Sequence, residues 1–109
     1  MQPSVMSGKC ASRTYMAMLT SKWSLLVTNA LHEGPRRNGE LLRCVEGISQ
    51  KMLTQTLRQL EEMKLVDRRD MQTIPPHVEY QLTELGVSFR REVHSLIRWV
   101  EGNLPDLQG

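Results

Sequence analysis

The sequence predicts a mainly α-helical domain with one small β-hairpin. Apolar residues recur at helical spacing in five segments, and polar and apolar residues alternate between the fourth and the fifth. Gly or Pro residues separate several of these segments and indicate turns. A short helix joined by a turn to a longer one is followed by the hairpin and a long helix. This order is that of a winged helix-turn-helix domain with extra N- and C-terminal helices.

Length and composition bound the class of protein. The 109 residues fit one domain, expected over residues 10–109, with a core that needs no disulfide or metal. Residues 1–9 show no periodicity and are expected to be flexible. Two cysteines and seven methionines suit a reducing compartment, and no apolar run is long enough for a signal peptide or a membrane span. We expect a cytoplasmic protein that makes no membrane contact.

Two helices are predicted before the central motif. Residues 11–19 have the apolar spacing of a short helix. Ser21 is expected to cap a second helix that runs through Leu31 and stops at Gly34-Pro35. The inward face of the second helix is predicted to hold Trp23, Leu26, Val27, Ala30 and Leu31.

A helix-turn-helix motif is predicted over about residues 37–64. Its first helix spans residues 38–45, with Asn38 as the N-cap. Gly47 marks the turn, and Ser49 opens a longer helix that ends near Lys64. The buried face of this longer helix is predicted to hold Leu53, Leu57 and Leu60.

A hairpin and a final helix complete the pattern. Residues 65–71 and 77–82 are predicted strands, with Pro75-Pro76 in the loop between them, so the wing covers about residues 65–82. The final helix is predicted over about residues 83–103. Its apolar stripe consists of Leu85, Phe89, Val93, Leu96, Ile97 and Val100.

The outer face of the helix that begins at Ser49 is suited to double-stranded DNA. Opposite its leucines lie Gln50, Lys51, Thr54, Gln55 and Arg58. Long donors and acceptors near a helix N-terminus match the base edges of the major groove, and Ser49 with the helix N-terminus can hold a phosphate. Any solvated helix face is polar, but such a face usually mixes charges, and no acidic residue occurs from Ser49 to Gln59. The pattern favours DNA recognition.

Basic residues flank this helix along the chain. Residues 34–69 hold eight Lys and Arg against five Asp and Glu, whereas residues 70–109 hold three against six. Arg68, Arg69 and His77 lie on the predicted wing, where a narrow minor groove attracts cations. Phosphate contacts are predicted for Arg36, Arg37 and Arg43. Each alone is more often a plain surface residue, but as a set they support a DNA-facing surface.

The two cysteines lead to different expectations. Cys10 precedes the first predicted helix and lies between Lys9 and Arg13, surroundings that favour the thiolate and hence sensing of oxidants or electrophiles. An inert, half-exposed thiol is an equal alternative at this position. Cys44, beside Val45 on a short helix, is expected to be a small core residue.

The terminal helices are predicted to form a homodimer interface. A lone domain would otherwise expose much of their apolar surface. The predicted contact residues are Tyr15, Met18, Leu19, Phe89, Val93, Leu96, Ile97 and Val100. Trp99 lies off this stripe and marks either an oligomer contact or packing against the first helix.

No pattern of residues indicates an enzyme. The chain has no Ser/His/Asp order, no paired-carboxylate motif, no glycine-rich phosphate loop and no metal-ligand spacing. We therefore expect no catalytic residue, no cofactor and no metal. The alternative to a DNA-binding regulator is a winged-helix protein-interaction module without sequence-specific DNA binding, which predicts no basic face.

Over roughly residues 10–101 the chain resembles the HxlR-type bacterial regulators, a branch near the MarR group. The similarity lies in Lys22-Trp23, Gly34-Pro35, the segment Gly47-Ile48-Ser49-Gln50-Lys51-Met52-Leu53-Thr54-Gln55, Pro75-Pro76 and Val78-Glu79-Tyr80. The resemblance implies a two-fold dimer formed by the terminal helices, with recognition by the helix at Ser49 and help from the wing. Some members of this family respond to aldehydes, quinones or disulfide stress through a cysteine at the position of Cys10, so the resemblance implies a candidate sensor role for Cys10.

Two positions depart from the family pattern near the predicted DNA surface. Asn38 stands where an aromatic residue is frequent, and His77 replaces a frequent wing arginine. From these changes we expect looser packing under the first motif helix and a weaker or pH-dependent wing contact.

Overall fold

The computed structural model describes residues 5–109. Residues 1–4 of the predicted flexible segment lie outside this range, and residues 5–9 form turns and bends. The elements are α1 Ala11–Leu19, α2 Lys22–Ala30, α3 Asn38–Cys44, α4 Gln50–Glu62, β1 Val66–Asp70, β2 Val78–Leu82, α5 Glu84–Gly102 and α6 Leu104–Gln108. A mainly helical winged helix-turn-helix fold is thus confirmed. The five-residue α6 was not predicted, because so short a helix leaves no periodic signal.

The core lies where α2, α3, α4 and β1 meet. Val27, Leu41, Leu53 and Leu60 are all fully buried there, and Val66 brings the first strand into the same cluster. Burying a leucine side chain contributes about 1.5–3 kcal/mol. The predicted inward leucines of α4 are therefore the residues that hold this helix against the domain and turn its other face to solvent.

The inward face of α2 differs from the prediction. Ser21 caps the helix as expected, with its Oγ accepting from the Ser24 N–H at 3.3 Å. Ser24 and Thr28 are fully buried, however, whereas Leu26 is 38% exposed. The hydroxyl of Ser24 donates to the Met18 carbonyl at 3.1 Å, so its burial is compensated and α1 is tied to α2.

The end of α4 determines where the wing and α5 begin. Lys64 has a left-handed backbone (φ 62°), and the Leu65 N–H donates to the Leu60 carbonyl at 2.9 Å, as in a Schellman ending. The Thr83 hydroxyl donates to the Lys64 carbonyl at 2.7 Å. Gly86 lies so near that a Cβ on it would be 2.0 Å from the Leu65 oxygen. The backbone at the end of α4 therefore contacts the first turn of α5 directly.

The wing is a two-stranded antiparallel sheet in which Val66 pairs with Leu82 and Arg69 with Glu79. The backbone of Arg36 adds a short bridge at its edge by exchanging hydrogen bonds with Tyr80 at 2.9 and 2.8 Å. This extended segment continues to residue 37, and α3 begins only after it. The N-cap is accordingly Arg37, with its N–H donating to the Glu40 carboxylate at 3.0 Å, and the predicted N-cap Asn38 is wrong.

Candidate nucleic-acid interface

The tight turn between α3 and α4 sets the direction of the second helix. Gly47 adopts a φ of 90°, a conformation that residues with a Cβ rarely take, and Ile48 is buried immediately after it. The Ser49 Oγ accepts from the Met52 N–H at 3.0 Å and so caps α4. The N–H groups of the residues between Ser49 and Met52 remain at the helix end, where an anion can bind.

The outer face of α4 presents a positive, hydrogen-bonding surface. Lys51, Gln55 and Arg58 are exposed, and Thr54 is half-buried beside them. Within the described range, neither Lys51 nor Arg58 forms an ion pair. Both cations are therefore available to bases or phosphates approaching this face, which we call the α4 outer face.

Gln50 belongs to the same helix but is engaged differently. Its Oε1 accepts from Asn38 Nδ2 at 2.7 Å, while its Nε2 donates to Asn38 Oδ1 at 3.0 Å and to Thr54 Oγ1 at 3.0 Å. Sequence reasoning missed this pair. Asn38 and Gln50 are each the first residue of their helix, and only the crossing of the two helices brings them together.

The three arginines around α3 do not share one environment. Arg36 is held within the protein, since its Nε donates to the Ala30 carbonyl at 2.8 Å and its Nη2 lies 3.5 Å from Glu33 Oε2. Arg37 and Arg43 are exposed. Within the described residues neither of these two guanidinium groups forms an ion pair, in contrast to Arg36.

The wing carries less available positive charge than its sequence suggests. Arg68 and Arg69 are exposed on β1. His77 Nε2 lies 2.8 Å from Glu79 Oε2, so this ring is paired with a carboxylate two residues further along the chain, in β2. Ile74, in the middle of the loop between β1 and β2, has a fully exposed side chain.

The cysteines occupy two separate parts of the surface. Cys10 is the N-cap of α1 and half-buried, and its N–H donates to the Ser7 carbonyl at 3.1 Å. Cys44 is exposed on the wall of a groove between α2 and α5, which corrects its predicted core position. Leu41 and Val45 point inward at the end of α3. Cys44 is about 100° from Val45 around the helix axis, so its side chain lies away from the core.

Apolar side chains remain exposed on α1 and α5. On α1, Tyr15 is 53% exposed, and on α5, Leu96, Trp99 and Val100 are 46%, 57% and 38% exposed. Val93 is only 2% exposed, so it packs inside the domain, and its predicted place on a dimer interface is wrong. Phe89 and Leu19 pack partly against the core, while Met18 and Ile97 are half-buried. Trp99 is therefore mostly in solvent in the isolated chain.

Two other kinds of site are absent from residues 5–109. No helix in this range is both long and apolar enough to cross a membrane. The same residues contain no group of three or more His, Cys, Asp and Glu side chains placed to hold a metal ion.

Comparison with known proteins agrees with the fold. The family described as HxlR-like helix-turn-helix matches residues 18–108. The uncharacterized HTH-type transcriptional regulator YtfH of Escherichia coli (strain K12) is 41% identical over 99 residues, 91% of this chain and 79% of that protein. The solved structure of YtfH from Salmonella typhimurium has a TM-score of 0.91 at 37% identity, covering 98% of this chain and 96% of that one. The redox regulator HypR in its reduced form has a TM-score of 0.82 at 32% identity, covering 89% and 96%.

These relatives are transcription regulators rather than enzymes. The range matched by the family, residues 18–108, contains the helix-turn-helix formed by α3 and α4. The chain belongs to the HxlR-like helix-turn-helix family of transcription regulators.

Proposed function

We propose that this regulator is a homodimer that binds a specific, two-fold symmetric operator through α4. Regulators of this type bind DNA. The observation that carries the proposal is the α4 outer face, where Lys51 and Arg58 are exposed without ion-pair partners in the described range and Gln55 is exposed beside them. Arg and Lys suit guanine and Gln suits adenine in the major groove.

The other basic residues complete the proposed DNA surface. Arg37 and Arg43 reach phosphates beside α3, and Ser49 with the first turn of α4 receives a further phosphate. Arg68 and Arg69 lie along the backbone or the minor groove next to the wing. His77 contributes little while it is paired with Glu79.

Dimerisation is supported by the apolar surface of α1 and α5. Leu96, Trp99 and Val100 on α5 and Tyr15 on α1 each have more than a third of their surface exposed in the isolated chain, and exposed apolar surface of this kind usually has a protein partner. A second copy would cover it and place two α4 helices about 34 Å apart, one turn of DNA.

We further propose that Cys10 responds to electrophiles. The similarity to the redox regulator HypR supports this role, as does the position of Cys10 at the N-terminus of a nine-residue helix, whose dipole favours a thiolate. With a quinone, the thiolate sulfur would add to a ring carbon to form a C–S bond. One ring oxygen would take a proton from water, replacing the proton that the thiol had released, and the other oxygen would receive the proton lost when the C–H bond at the attacked carbon breaks. The product is the hydroquinone thioether, and the quinone itself is the electron acceptor.

Selection of bound sequences from a random pool of duplex DNA tests the central proposal. We expect an enriched motif of two inverted half-sites whose centres are about 10–10.5 base pairs apart, or a multiple of this. Binding to it should weaken steeply as salt rises, because phosphate contacts release counterions. Failure to enrich any motif, together with binding that does not depend on salt, would favour a protein-interaction module instead.

A further inference from the structure

We propose that Gln50 does not read a base, because Asn38 holds its amide, and that Asn38 thereby restricts which bases α4 can recognise. This inference rests on the proposed function, since it concerns the same DNA-binding helix. It also reverses the simplest expectation from sequence, in which a glutamine at the start of a recognition helix pairs with adenine.

The hydrogen bonds of the Gln50 amide are almost fully used within the protein. Its Nε2 has two N–H groups, which donate to Asn38 Oδ1 and Thr54 Oγ1, each at 3.0 Å. Its Oε1 accepts from Asn38 Nδ2 at 2.7 Å. A bidentate adenine contact needs one N–H donated to N7 and the oxygen accepting from N6. No N–H of Gln50 is left for N7.

The conclusion does not depend on which atom of each amide is nitrogen. Turning both amides over preserves the mutual pair and directs the Thr54 hydroxyl to Gln50 Oε1. The oxygen then accepts twice and cannot also accept from adenine N6. In either orientation one of the two atoms required for adenine is occupied.

The pair also fixes the side chain in place. Asn38 holds the end of Gln50 toward α3, while Thr54, one turn further along α4, holds it from the other side. Water competes for these exposed bonds in the uncomplexed protein, but DNA would displace that water and strengthen them. Gln50 is therefore a positioning residue that joins the first turns of α3 and α4, and reading falls to Lys51, Gln55 and Arg58.

Sequence selection with four proteins tests the inference: wild type, Gln50→Ala, Asn38→Ala and the double variant. We expect Gln50→Ala to select the wild-type motif, with affinity lowered by a similar factor for all sequences. Asn38→Ala should gain a preference of about ten-fold or more for adenine at one position, because it releases the Gln50 amide. The double variant should lose that gain. Gln55→Ala is the matched control, a glutamine of the same helix whose removal should relax the motif at one position.

Two selection outcomes would overturn the inference. One is that Gln50→Ala relaxes the wild-type motif at a single position, which would make Gln50 a reader. The other is that Asn38→Ala selects an unchanged motif, which would mean that Asn38 does not keep the Gln50 amide from contacting a base.

A separate measurement without DNA distinguishes failure of this inference from failure of the proposed function. In NMR spectra of the full chain, the side-chain amide signals of Gln50 should shift in Asn38→Ala and exchange faster with solvent. Unchanged signals would refute the pair whatever the chain does with DNA. A wild type that enriches no motif, in contrast, would refute the proposed function, and the amide signals would still decide whether the pair forms.

Discussion

Gly86 lies directly against the backbone of Leu65, with its missing Cβ position 2.0 Å from the Leu65 carbonyl oxygen. Thr83 strengthens the contact by donating its N–H to the same carbonyl at 3.0 Å. The end of α4 is thereby joined to the beginning of α5 through backbone atoms, which cannot rearrange as side chains do. In the proposed dimer, this junction would carry the geometry of the α5 interface to the DNA-binding helix.

Replacement of Gly86 by Ala is expected to lower the free energy of unfolding by about 1–3 kcal/mol, as overpacking of a tight site does. The clash is with a carbonyl, so the backbone must move to relieve it. Thermal unfolding followed by circular dichroism measures the change.

Gly102→Ala is the matched control for this experiment. Gly102 is the last residue of the same helix, and no other part of the described chain lies within 4 Å of its Cβ position, so its variant should keep or slightly raise the melting temperature. Equal melting temperatures for Gly86→Ala and wild type would show that the junction is loose.

Leu96→Asp is expected to convert the proposed dimer into monomers. Leu96 lies on the flank of α5 that also holds Trp99, and a charge there would be buried without a partner at the dimer interface. Sedimentation velocity at micromolar concentration would detect the change.

Val87→Asp provides the control, because Val87 is 45% exposed on the other flank of α5 and should leave the dimer intact. The dimer proposal fails if Leu96→Asp sediments as wild type does, or if wild type is already a monomer.

Cys10→Ser is expected to keep operator affinity but to lose the response to a quinone. In wild type, addition of the Cys10 sulfur to the ring should change operator affinity, and intact-mass measurement would reveal the adduct. Cys44→Ser is an informative control because Cys44, unlike the half-buried Cys10, is exposed and open to alkylation. A quinone response that persists in Cys10→Ser and disappears in Cys44→Ser would assign sensing to Cys44 and contradict the proposed role of Cys10.

The sequence predicted helix features best where a feature depends only on residues of the same helix. Ser21 and Ser49 were expected to open helices, and both accept a backbone N–H three residues ahead. Leu53, Leu57 and Leu60 are buried as their spacing predicts. A cap and a stripe need only the residues of one helix, so a single sequence is enough to place them.

The errors occurred where a residue depends on a distant part of the chain. Ser24 is buried because α1 supplies a carbonyl for its hydroxyl, and Arg36 is tied to the end of α2. Cys44 is exposed because its side of α3 faces the open groove between α2 and α5 rather than the core. Periodicity identifies an apolar face but not the element that packs against it, so these contacts required the three-dimensional fold.

The α4 outer face is the centre of the account, and the affinity of its variants for the selected operator tests it most directly. Gln55→Ala and Arg58→Ala should each weaken specific binding by about 1–3 kcal/mol, the usual loss for one base contact. Arg91→Ala, which removes the same charge from an exposed position on α5, should bind within about two-fold of wild type, because a distant charge has little effect at physiological salt. Fluorescence anisotropy titrations in which Gln55→Ala and Arg58→Ala bind the operator as tightly as wild type would contradict the account.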